Sequence, residues 1–471
     1  MKAQHTNEQL QQLYQEAKAV IQATDPLKVI ENAIRGLGYG GDIKPALITY
    51  LAVTSRLLEM RPGAMPVHLL LTGLSSGGKS YTLGVIKTLM PTDGYHVIDA
   101  GSPRVLIYDE VSLEHKALVF GEADSLPAGE DNPAASAIRN LLQDHCLHYE
   151  VTIRDKESGI YTTKKINRDG PTVLITTSTR ALGDQLMTRF FTLEISDSRE
   201  QISAALETQA ELETRGIPCP DAGLVSFQSY LQLKAPIKVI VPYAMELGRA
   251  MAKMASAPRV HRDFARLISL IKAVGLIRHH QRQLDAEGRI VADLTDYETV
   301  RKLVNDMYID SSTGATSEIK RLVEAVISLD AKRTDGELIT NTTLARHLNI
   351  GIKQAERRAK MARRLGWLVN REQRKYHPAD YATGEPMPET EGLPMLGVDI
   401  PDIVDNGRVN VSSLENGTMD MLTPLANGNR SSLSLGELPD CPACGRNEWT
   451  YSPDGKLLCS CGHHLRGEFQ C

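Results

Sequence analysis

The spacing of hydrophobic positions changes several times along the chain, and each change marks a candidate structural segment. In residues 1–62 the apolar side chains recur at helical spacing, and Asp25-Pro26 is a typical helix start. From Val67 the pattern changes to short apolar runs separated by helical stretches, which is typical of strands buried on both faces of a sheet. Residues 63–200 are therefore predicted to form an α/β core, preceded by a helical N-terminal segment.

The pattern beyond residue 200 predicts four further segments. Residues 201–315 are mostly helical, and residues 316–378 combine helices with runs that indicate a hairpin. Residues 379–436 hold many Pro, Gly, Asn and Ser residues with little periodicity, which predicts a flexible linker, and residues 437–471 hold a cysteine cluster. A chain of 471 residues needs several such units, because a single hydrophobic core stops growing at roughly 250–300 residues.

The composition, 42% hydrophobic and 24% charged, is typical of a globular protein. No apolar run approaches the roughly 20 residues that span a bilayer, and the N-terminus lacks the continuous apolar core of a signal peptide. We therefore expect a cytoplasmic protein without a membrane partner.

The formal net charge of −5 is unevenly distributed along the chain. Residues 318–376 hold fourteen Lys and Arg against seven Asp and Glu, so this segment carries +7 and the remainder −12. Nucleic acid is therefore a candidate partner of the basic segment.

The most specific chemical motif begins at Gly73. The sequence Gly73-Leu-Ser-Ser-Gly-Gly-Lys79-Ser80 has P-loop spacing, follows an apolar run and precedes a helix-compatible stretch. Glycines let backbone N–H groups face phosphate oxygens, the lysine reaches the β- and γ-phosphates, and the serine hydroxyl coordinates Mg²⁺. The residues predicted to bind a nucleoside triphosphate, ATP or GTP, are Gly73, Ser75, Ser76, Gly77, Gly78, Lys79 and Ser80.

Hydrolysis also needs an acidic residue at the end of a neighbouring strand, and two places fit. The run Val105–Tyr108 is followed by Asp109, and the run Lys116–Phe120 is followed by Gly121 and Glu122. Both runs lie downstream of the P-loop on plausible strands, so spacing alone does not separate them.

The order of motifs from Gly121 onward resembles the AAA+ motor of minichromosome maintenance helicases and their relatives on mobile genetic elements. In that family an acidic strand end precedes a helix, a hairpin with a basic tip, a sensor strand, an arginine-finger motif and a second sensor arginine. The matching stretches are residues 122–124, 137–142, 148–166, 173–178, 186–190 and 262–273. The likeness covers residues 65–280; its P-loop motif is highly specific, and the other motifs gain weight from their order.

The resemblance implies an α/β fold with an AAA+ P-loop NTPase core and a helical lid region. It implies that Glu122 polarises the attacking water and that Ser178 or Thr177 is the first sensor. Arg189 would reach the γ-phosphate bound by the neighbouring subunit, and Arg262 would be the second sensor. An arginine supplied across an interface requires a ring or filament, and we expect a homo-oligomeric ring, a hexamer.

The chain departs from the family at Gly121, where the resemblance places a magnesium-binding Asp. Asp124 or Asp109 is left to take that place. ATP and Mg²⁺ are the ligands that the resemblance implies, and the metal shell is the part that the departure affects.

Basic residues occur on the predicted hairpin and on a predicted helix. In ring motors such hairpins project into the central channel, where basic tips follow phosphates without reading sequence. Residues 341–348 and 353–364 predict two helices around a turn, and residues 365–376 resemble the wing of a winged helix. The predicted DNA contacts are Arg154, Lys156, Lys164, Lys165, Lys353, Arg357, Arg358, Lys360, Arg363 and Arg364. The alternatives are solvated surfaces or a winged helix that docks to protein.

Five of the seven cysteines lie near the C-terminus, and four of them are spaced as two candidate ligand pairs. These four are Cys441, Cys444, Cys459 and Cys461. Paired thiolates on two tight turns suit tetrahedral Zn²⁺, and the pattern resembles the zinc ribbons of nucleic-acid enzymes. The second pair is one residue closer than usual, so His463 or His464 is an alternative ligand. We predict a small zinc ribbon that binds one Zn²⁺.

The predicted function is ATP-driven translocation on DNA, or its unwinding, in the replication of a mobile genetic element. The expected partners are DNA, further copies of the chain and other replication proteins. One rival is a non-unwinding AAA+ switch, such as a helicase loader, replication initiator or transposition regulator. Another is a ring that remodels proteins.

Overall fold

The computed structural model describes most of the first 396 residues and two short strands near the C-terminus. The described residues are 2–73, 77–99, 105–109, 111–123, 133–154, 161–178, 188–216, 219–254, 260–313, 317–334, 337–372, 374, 377–387, 392–396, 449–451 and 457–459. The chain divides into two compact units, Met1–Ile400 and Pro401–Cys471.

Three helices precede the sheet: α1 (Lys2–Ile21), α2 (Pro26–Gly36) and α3 (Lys44–Thr54). Helix α2 begins where the sequence predicts, because the Asp25 side chain accepts a hydrogen bond from the Leu27 N–H (3.2 Å) and Pro26 needs no donor at the first helical position. Helix α3 is buried from Pro45 to Thr54, so it lies inside the core.

A five-stranded parallel sheet follows these helices. The elements of this region are β1 (Leu69–Thr72), α4 (Lys79–Thr88), β2 (Tyr95–Ile98), α5 (Val105–Tyr108), β3 (Lys116–Phe120), α6 (Pro133–Asp144), β4 (Cys146–Arg154), β5 (Tyr161–Asp169), β6 (Thr172–Ser178) and β7 (Phe191–Glu194). The strand order is β2–β3–β6–β1–β7, and β4 and β5 form a separate antiparallel hairpin. The predicted α/β core is confirmed.

Strand β1 shows why this sheet is buried on both faces. Leu69 and Leu71 pack into a core shared with the N-terminal helices, and Leu70 packs into a second core with α6 and the base of the hairpin. Successive side chains of a strand point to opposite faces, so an uninterrupted apolar run serves both cores. Because the five strands are parallel, their C-terminal ends lie along the same edge of the sheet, which we call the carboxyl edge. Their N-terminal ends lie along the opposite edge, which we call the amino edge.

The helical region after β7 packs on the first of these cores. Its elements are α7 (Arg199–Arg215), α8 (Ala222–Leu233), β8 (Val239–Ile240), α9 (Ala244–Met254), α10 (Val260–Ile277), β9 (Ile290–Val291) and α11 (Leu294–Thr313). Arg278 donates to Asp25 and to the buried Asp296, each at 3.1 Å, and so ties this region to the start of α2. No helix in the described part of the chain combines the length and hydrophobicity needed to cross a bilayer.

The basic segment forms its own small core within the first unit. Its elements are α12 (Ser317–Ala331), α13 (Asn341–Leu348), α14 (Ile352–Arg364), β10 (Leu368–Asn370) and β11 (Tyr381–Thr383). The Thr340 side chain caps α13, and Asn349 adopts φ +53°, which lets the chain turn into α14. Strand β10 pairs with β11 in antiparallel register.

The return strand of this pair lies later in the sequence than expected. Residues 365–376 resemble a wing in the sequence, but the strand that pairs with β10 lies at Tyr381–Thr383, beyond the predicted end of the segment at residue 378. Asp380 accepts two hydrogen bonds from Arg333, each 2.8 Å, and one from the Ile339 N–H (3.2 Å). These long-range contacts hold the strand in place, and no local pattern shows them.

In the second unit the structure describes a pair of strands, β12 (Trp449–Tyr451) and β13 (Leu457–Cys459). They are antiparallel, and Trp449 lies opposite Cys459.

Candidate active site

The P-loop lies at the carboxyl edge, between β1 and α4. Gly73 has φ +145°, and a Cβ there would lie 3.1 Å from the Ile195 carbonyl oxygen, so glycine fits this turn. Gly78 has φ +89° and directly precedes α4. Ser75 and Ser76 lie outside the described residues. The turn leads into the N-terminus of a ten-residue helix, where the helix dipole favours an anion.

Lys79, the first residue of α4, is buried with its ammonium directed back over the loop. Its Nζ donates to the Gly73 carbonyl oxygen at 3.0 Å. Burial lowers the pKa of Lys79, and the charge of the Glu122 carboxylate opposes that shift. Ser80 follows on α4 and is exposed. A phosphate oxygen at this place would be a stronger acceptor for the ammonium than a carbonyl oxygen is.

Glu122 follows β3 at the same edge and is exposed. The residue before it, Gly121, is tightly enclosed: a Cβ there would lie 3.0 Å from the Asp99 carbonyl oxygen. The Gly121 N–H donates to Ile98 (3.1 Å), which ties the end of β3 to β2. A side chain at this position would therefore require the backbone at Asp99, just after β2, to shift. Asp124 lies outside the described residues.

The second acidic candidate, Asp109, does not follow a strand. Residues Val105–Tyr108 are the helix α5, so the expectation of a strand there is wrong. Asp109 accepts hydrogen bonds from His96 Nε2 (2.5 Å) and from the Val111 N–H (3.0 Å). Burial alone would raise the pKa of Asp109, but these hydrogen bonds and the charges of His96 and Arg168 lower it on balance. Asp109 thus anchors the loop that precedes β3.

Strand β6, which carries both sensor candidates, lies between β1 and β3. Ser178 is opposite Thr72 at the carboxyl edge, and Thr177 is opposite Leu71. The Thr177 hydroxyl donates to the Gly121 carbonyl oxygen at 2.6 Å, so it serves to join two strands. Ser178 ends the strand beside the P-loop strand, which favours it over Thr177 as the group nearer the nucleotide.

Two of the predicted catalytic arginines lie together, close to the start of β7. Arg189 donates to Gln143 on α6 (Nη2···Oε1 3.1 Å), and Arg262 on α10 donates to the Thr188 hydroxyl at 2.8 Å. Burial lowers the pKa of Arg189, and the charges of Arg262 and Arg139 lower it further. The guanidinium groups of Arg139 and Arg262 therefore both lie within electrostatic range of Arg189.

Arg139 was not singled out from the sequence. It lies one helical turn before Gln143 on α6, so the two side chains are on the same face and approach Arg189 together. The spacing of four residues was visible in the sequence, but nothing there showed that this face of α6 meets the turn before β7. We call Arg139, Arg189 and Arg262 the arginine cluster.

The arginine cluster and the P-loop lie at opposite edges of the sheet. Strand β7 runs parallel to β1, with Phe191 opposite Leu69 and Glu194 opposite Thr72. Arg189 precedes the start of β7, whereas the P-loop follows the end of β1. Four parallel residues span about 10 Å at ~3.3 Å per residue, so one chain holds the two groups apart by at least that length of sheet.

The hairpin extends from the body as nine residue pairs, from Cys146 opposite Asp169 to Arg154 opposite Tyr161. Lys164 is exposed, and Lys165 is exposed and pairs with Glu150 (3.2 Å). The tip, with Lys156, and the side chain of Arg154 lie outside the described residues. The described strands therefore place two of the four predicted hairpin cations on an exposed surface.

Arg168, which the sequence also places on the return strand, has a different role from the exposed lysines. It is buried and donates to the Val111 carbonyl oxygen, so it fixes the base of the hairpin to the core. Ile153 and Tyr161 lie next to the tip and are exposed. An exposed aromatic side chain beside basic residues is a surface on which an unpaired base can stack.

Helix α14 carries the basic residues of the third core. Five of them are exposed: Lys353, Arg357, Lys360, Arg363 and Arg364. Arg358 is 7% exposed and pairs with Asp197 and Glu318, each at 2.8 Å. It lies on the face that also buries Ala355, Ala359 and Ala362, and its burial disagrees with the prediction that it contacts DNA.

The described residues contain no group of three or more His, Cys, Asp or Glu side chains placed to hold a metal ion. Three of the predicted zinc ligands, Cys441, Cys444 and Cys461, lie outside the described residues. Of Cys459 only the backbone is described. The prediction of a zinc site stays a prediction.

A comparison with protein families supports the nucleotide site. Residues 12–229 match the family described as MTBMA_p00010 P-loop domain, which is a little under half of the chain. The matched region runs from α1 into α8 and includes the whole parallel sheet. No curated protein matches the chain. Together with the turn around Lys79, the match identifies a P-loop NTPase domain, and such a domain binds a nucleotide, usually with Mg²⁺.

Proposed function

We propose that the chain is an AAA+ ATPase that assembles into a ring and moves on or unwinds DNA, like the minichromosome maintenance motors it resembles. The observation that carries the proposal is the position of the arginine cluster, which lies at the sheet edge opposite the P-loop of the same chain. An arginine that cannot reach its own nucleotide can serve the nucleotide of a neighbouring copy. A closed ring, which we expect to be a hexamer, repeats that contact at every interface.

The hydrolytic roles follow from the two edges. At the carboxyl edge, Lys79 and Ser80 bind ATP and its Mg²⁺, Glu122 polarises the attacking water, and Ser178 contacts the γ-phosphate. The neighbouring copy presents Arg189 to the same phosphate. The transition state of phosphoryl transfer gains from positive charge, and an arginine supplied across an interface contributes about 10³–10⁵ in rate.

The surroundings of Arg189 and Arg262 indicate how these two arginines would act. Arg262 and Arg139 add positive charge around Arg189. Gln143 orients Arg189, and the Thr188 hydroxyl orients Arg262. We propose that the second sensor therefore acts together with the finger, on the same neighbouring nucleotide. For the metal, Asp109 is engaged by His96, which favours Asp124 as the carboxylate that replaces the missing magnesium ligand.

DNA would be held by two surfaces. The exposed lysines of the β4–β5 hairpin suit the phosphates of a strand in a central channel. The helix–turn–helix of α13 and α14, followed by the β10–β11 pair, has the order of elements of a winged helix, and its exposed cations suit duplex phosphates. The proposed biological setting is replication of a mobile genetic element, where other replication proteins would be partners.

The C-terminal unit would add a zinc ribbon with Cys441, Cys444, Cys459 and Cys461 as ligands. Elemental analysis of the full chain should find one Zn²⁺, and the double substitution Cys441→Ser/Cys444→Ser should remove it while ATP hydrolysis continues. Zinc that persists in this double variant would place the ligands elsewhere.

The central experiment mixes two inactive variants. Lys79→Ala lacks a phosphate-binding lysine, and Arg189→Ala lacks the finger, so neither forms a competent interface alone. In a mixed ring, some interfaces combine an intact P-loop with an intact arginine, and hydrolysis should reappear. The control mixes Lys79→Ala with Arg215→Ala, an exposed arginine of α7, which should give the activity expected from the Arg215→Ala chains alone.

Two outcomes would remove the ring proposal. One is the absence of recovery under conditions in which subunits exchange. The other is a wild-type protein that stays monomeric with ATP and DNA, as sedimentation would show. In either case a monomeric P-loop switch becomes the better account.

The second candidate function is an AAA+ switch that binds DNA without unwinding it. The observation that favours it is the direct contact between α14 and the loop after β7, through which a nucleotide state could be passed to a DNA-binding helix. A forked DNA substrate separates the two functions, because a helicase releases the displaced strand during ATP turnover and a switch does not.

A further inference from the structure

The basic helix α14 is fastened to the nucleotide-binding domain by ion pairs. Asp197, in the loop after β7, accepts from Arg357 (3.1 Å) and Arg358 (2.8 Å), and its carbonyl oxygen accepts from Gln354 (3.3 Å). Arg358 also donates to Glu318 on α12 at 2.8 Å. We call Asp197, Glu318, Arg357 and Arg358 the clasp.

The acidic half of the clasp is continuous with the P-loop edge. Ser196 donates to Glu318 at 3.0 Å, and the Ile195 N–H donates to the Thr72 carbonyl oxygen at 2.9 Å, one residue before the P-loop begins. The Ile195 carbonyl oxygen is also the atom that would contact a Cβ at Gly73. A shift of the loop after β7 would therefore be felt both at the P-loop turn and at the clasp.

One arginine of the clasp, Arg357, belongs to the exposed surface that suits nucleic acid. Arg357 lies on one side of α14 with Lys353, Lys360 and Arg364, because spacings of four, three and four residues keep the same helical face. The Arg357 side chain is 46% exposed while it pairs with Asp197. A cleft of about 770 Å³ lies alongside, lined by Lys360, Arg363 and Arg364 as well as by the clasp arginines.

Carboxylates and phosphates compete for guanidinium groups, because both offer paired oxygens in the geometry that the guanidinium fork matches. A buried ion pair contributes little net stability compared with apolar packing, and its best-attested use is to specify one of two arrangements. The clasp holds one such pair, Arg358 with Asp197, in which both side chains are 8% exposed.

We propose that the clasp is an autoinhibitory contact, in which Asp197 occupies the Arg357 guanidinium that would otherwise bind a phosphate of duplex DNA, while the buried Arg358 holds α14 against Asp197 and Glu318. Engagement of DNA by α14 then requires release of Asp197, and release frees the loop that follows β7 beside the P-loop. The inference rests on the proposed DNA binding by α14.

The experiment measures binding of a fluorescein-labelled 30-base-pair duplex to the full chain and to Asp197→Asn. The substitution removes the charge with little change of shape, so α14 should be released. The apparent affinity for the duplex equals the affinity of the open protein multiplied by the open fraction. Asp197→Asn should therefore bind the duplex about tenfold more tightly or better. Glu213→Gln, an exposed acid of α7, is the control for a change of net charge and should leave binding within twofold.

Hydrogen exchange on the same proteins supplies the second measurement. In the wild type, added duplex should increase exchange in residues 194–199 as the clasp opens, and Asp197→Asn should show that increase without DNA. Equal duplex binding by the wild type and Asp197→Asn overturns this inference and leaves the proposed function intact. Duplex binding by neither protein overturns the proposed DNA binding and this inference with it.

Discussion

The two edges of the central sheet carry opposite chemistry. The carboxyl edge presents a glycine turn, the buried Lys79 and the Glu122 carboxylate. The lysine and the carboxylate carry charges of opposite sign. The amino edge presents an arginine cluster whose members repel each other and lower the pKa of Arg189. The charge of Asp144 acts on Arg189 in the opposite direction.

The difference teaches how one chain can hold two halves of one site. The P-loop at the carboxyl edge is a single continuous motif, and phosphate binding by it needs no residue of the other edge. The amino edge is assembled from α6, the turn before β7 and α10, and it has no phosphate of its own within reach. In the proposed ring, the two halves would form one site wherever two copies of the chain meet.

The strongest way to break the comparison is to remove the lysine of the carboxyl edge. Lys79→Ala should reduce ATP hydrolysis by at least about 10³-fold, because a methyl group cannot replace an ammonium at the phosphates. Steady-state phosphate release measures the loss. Lys302→Ala, at an exposed position on α11, is the matched control and should keep normal turnover. Unchanged turnover in Lys79→Ala would place the nucleotide elsewhere.

Two neighbouring carboxylates sharpen the assignment of the same edge. Glu122→Gln should keep ATP binding and lower kcat about 10²–10⁴-fold, since the amide cannot polarise water. Asp109→Asn should change kcat less than about threefold and lower the free energy of unfolding by about 1 kcal/mol, through the weakened contact with His96. ATP binding by calorimetry and turnover are measured on both. The reverse ranking would move the acidic role to Asp109.

A smaller effect tests the amino edge. Gln143→Ala should lower kcat about tenfold with KM for ATP unchanged, because Arg189 loses the oxygen that orients it while its charge remains. Gln143→Glu keeps that oxygen and should retain turnover. If both substitutions lower kcat equally, the side-chain oxygen is not what matters. Mixing Gln143→Ala with Lys79→Ala should relieve part of this deficit, because some intact P-loops then face an Arg189 that is still oriented by Gln143.

The smallest effect concerns stability at the end of β7. Burial, with the charges of Glu318 and Asp197, raises the pKa of Glu194 to about 7, and Arg357 and Arg358 act in the opposite direction. The folded state therefore holds a proton that the unfolded chain releases near pH 4.5, so stability should fall as pH rises from about 4.5 to 7, by roughly 2–3 kcal/mol at most.

The check is Glu194→Gln, which cannot ionise and should flatten this pH dependence of Tm between pH 5 and 8. Glu200→Gln, an exposed acid at the start of α7, is the control and should keep the slope of the wild type. A wild-type slope retained in Glu194→Gln would show that another group releases the proton.

Much of the architecture follows from local pattern. The apolar run before Gly73 predicted β1, the glycines predicted the turn, and alternation in residues 148–166 predicted the hairpin, because strands and turns of this kind depend on neighbours in sequence. The helices of the N-terminal segment were predicted from their spacing in the same way. The position of the P-loop site, the class of its ligand and its residues could therefore be predicted from the sequence.

Other features depended on contacts between residues far apart in the chain. The apolar run Val105–Tyr108 suits a strand or a helix, and in the structure it is a helix. Asp109, which follows this helix, accepts a hydrogen bond from His96 on β2. The return strand at Tyr381–Thr383 was missed because Asp380 is held by Arg333, which lies just after α12 and far from Asp380 in the sequence. Local propensity is a weak prior that such contacts override.

The sequence by itself determined the nucleotide-binding turn, since backbone geometry there depends on which residues are glycine and on the helix that follows. Only the tertiary structure decided which charges face which. It placed Arg139 beside Arg189, set both at the edge opposite Lys79, and turned Arg358 inward to Asp197. Charge acts through space over distances that are short compared with the separation along the chain, so its partners are known only once the chain has folded.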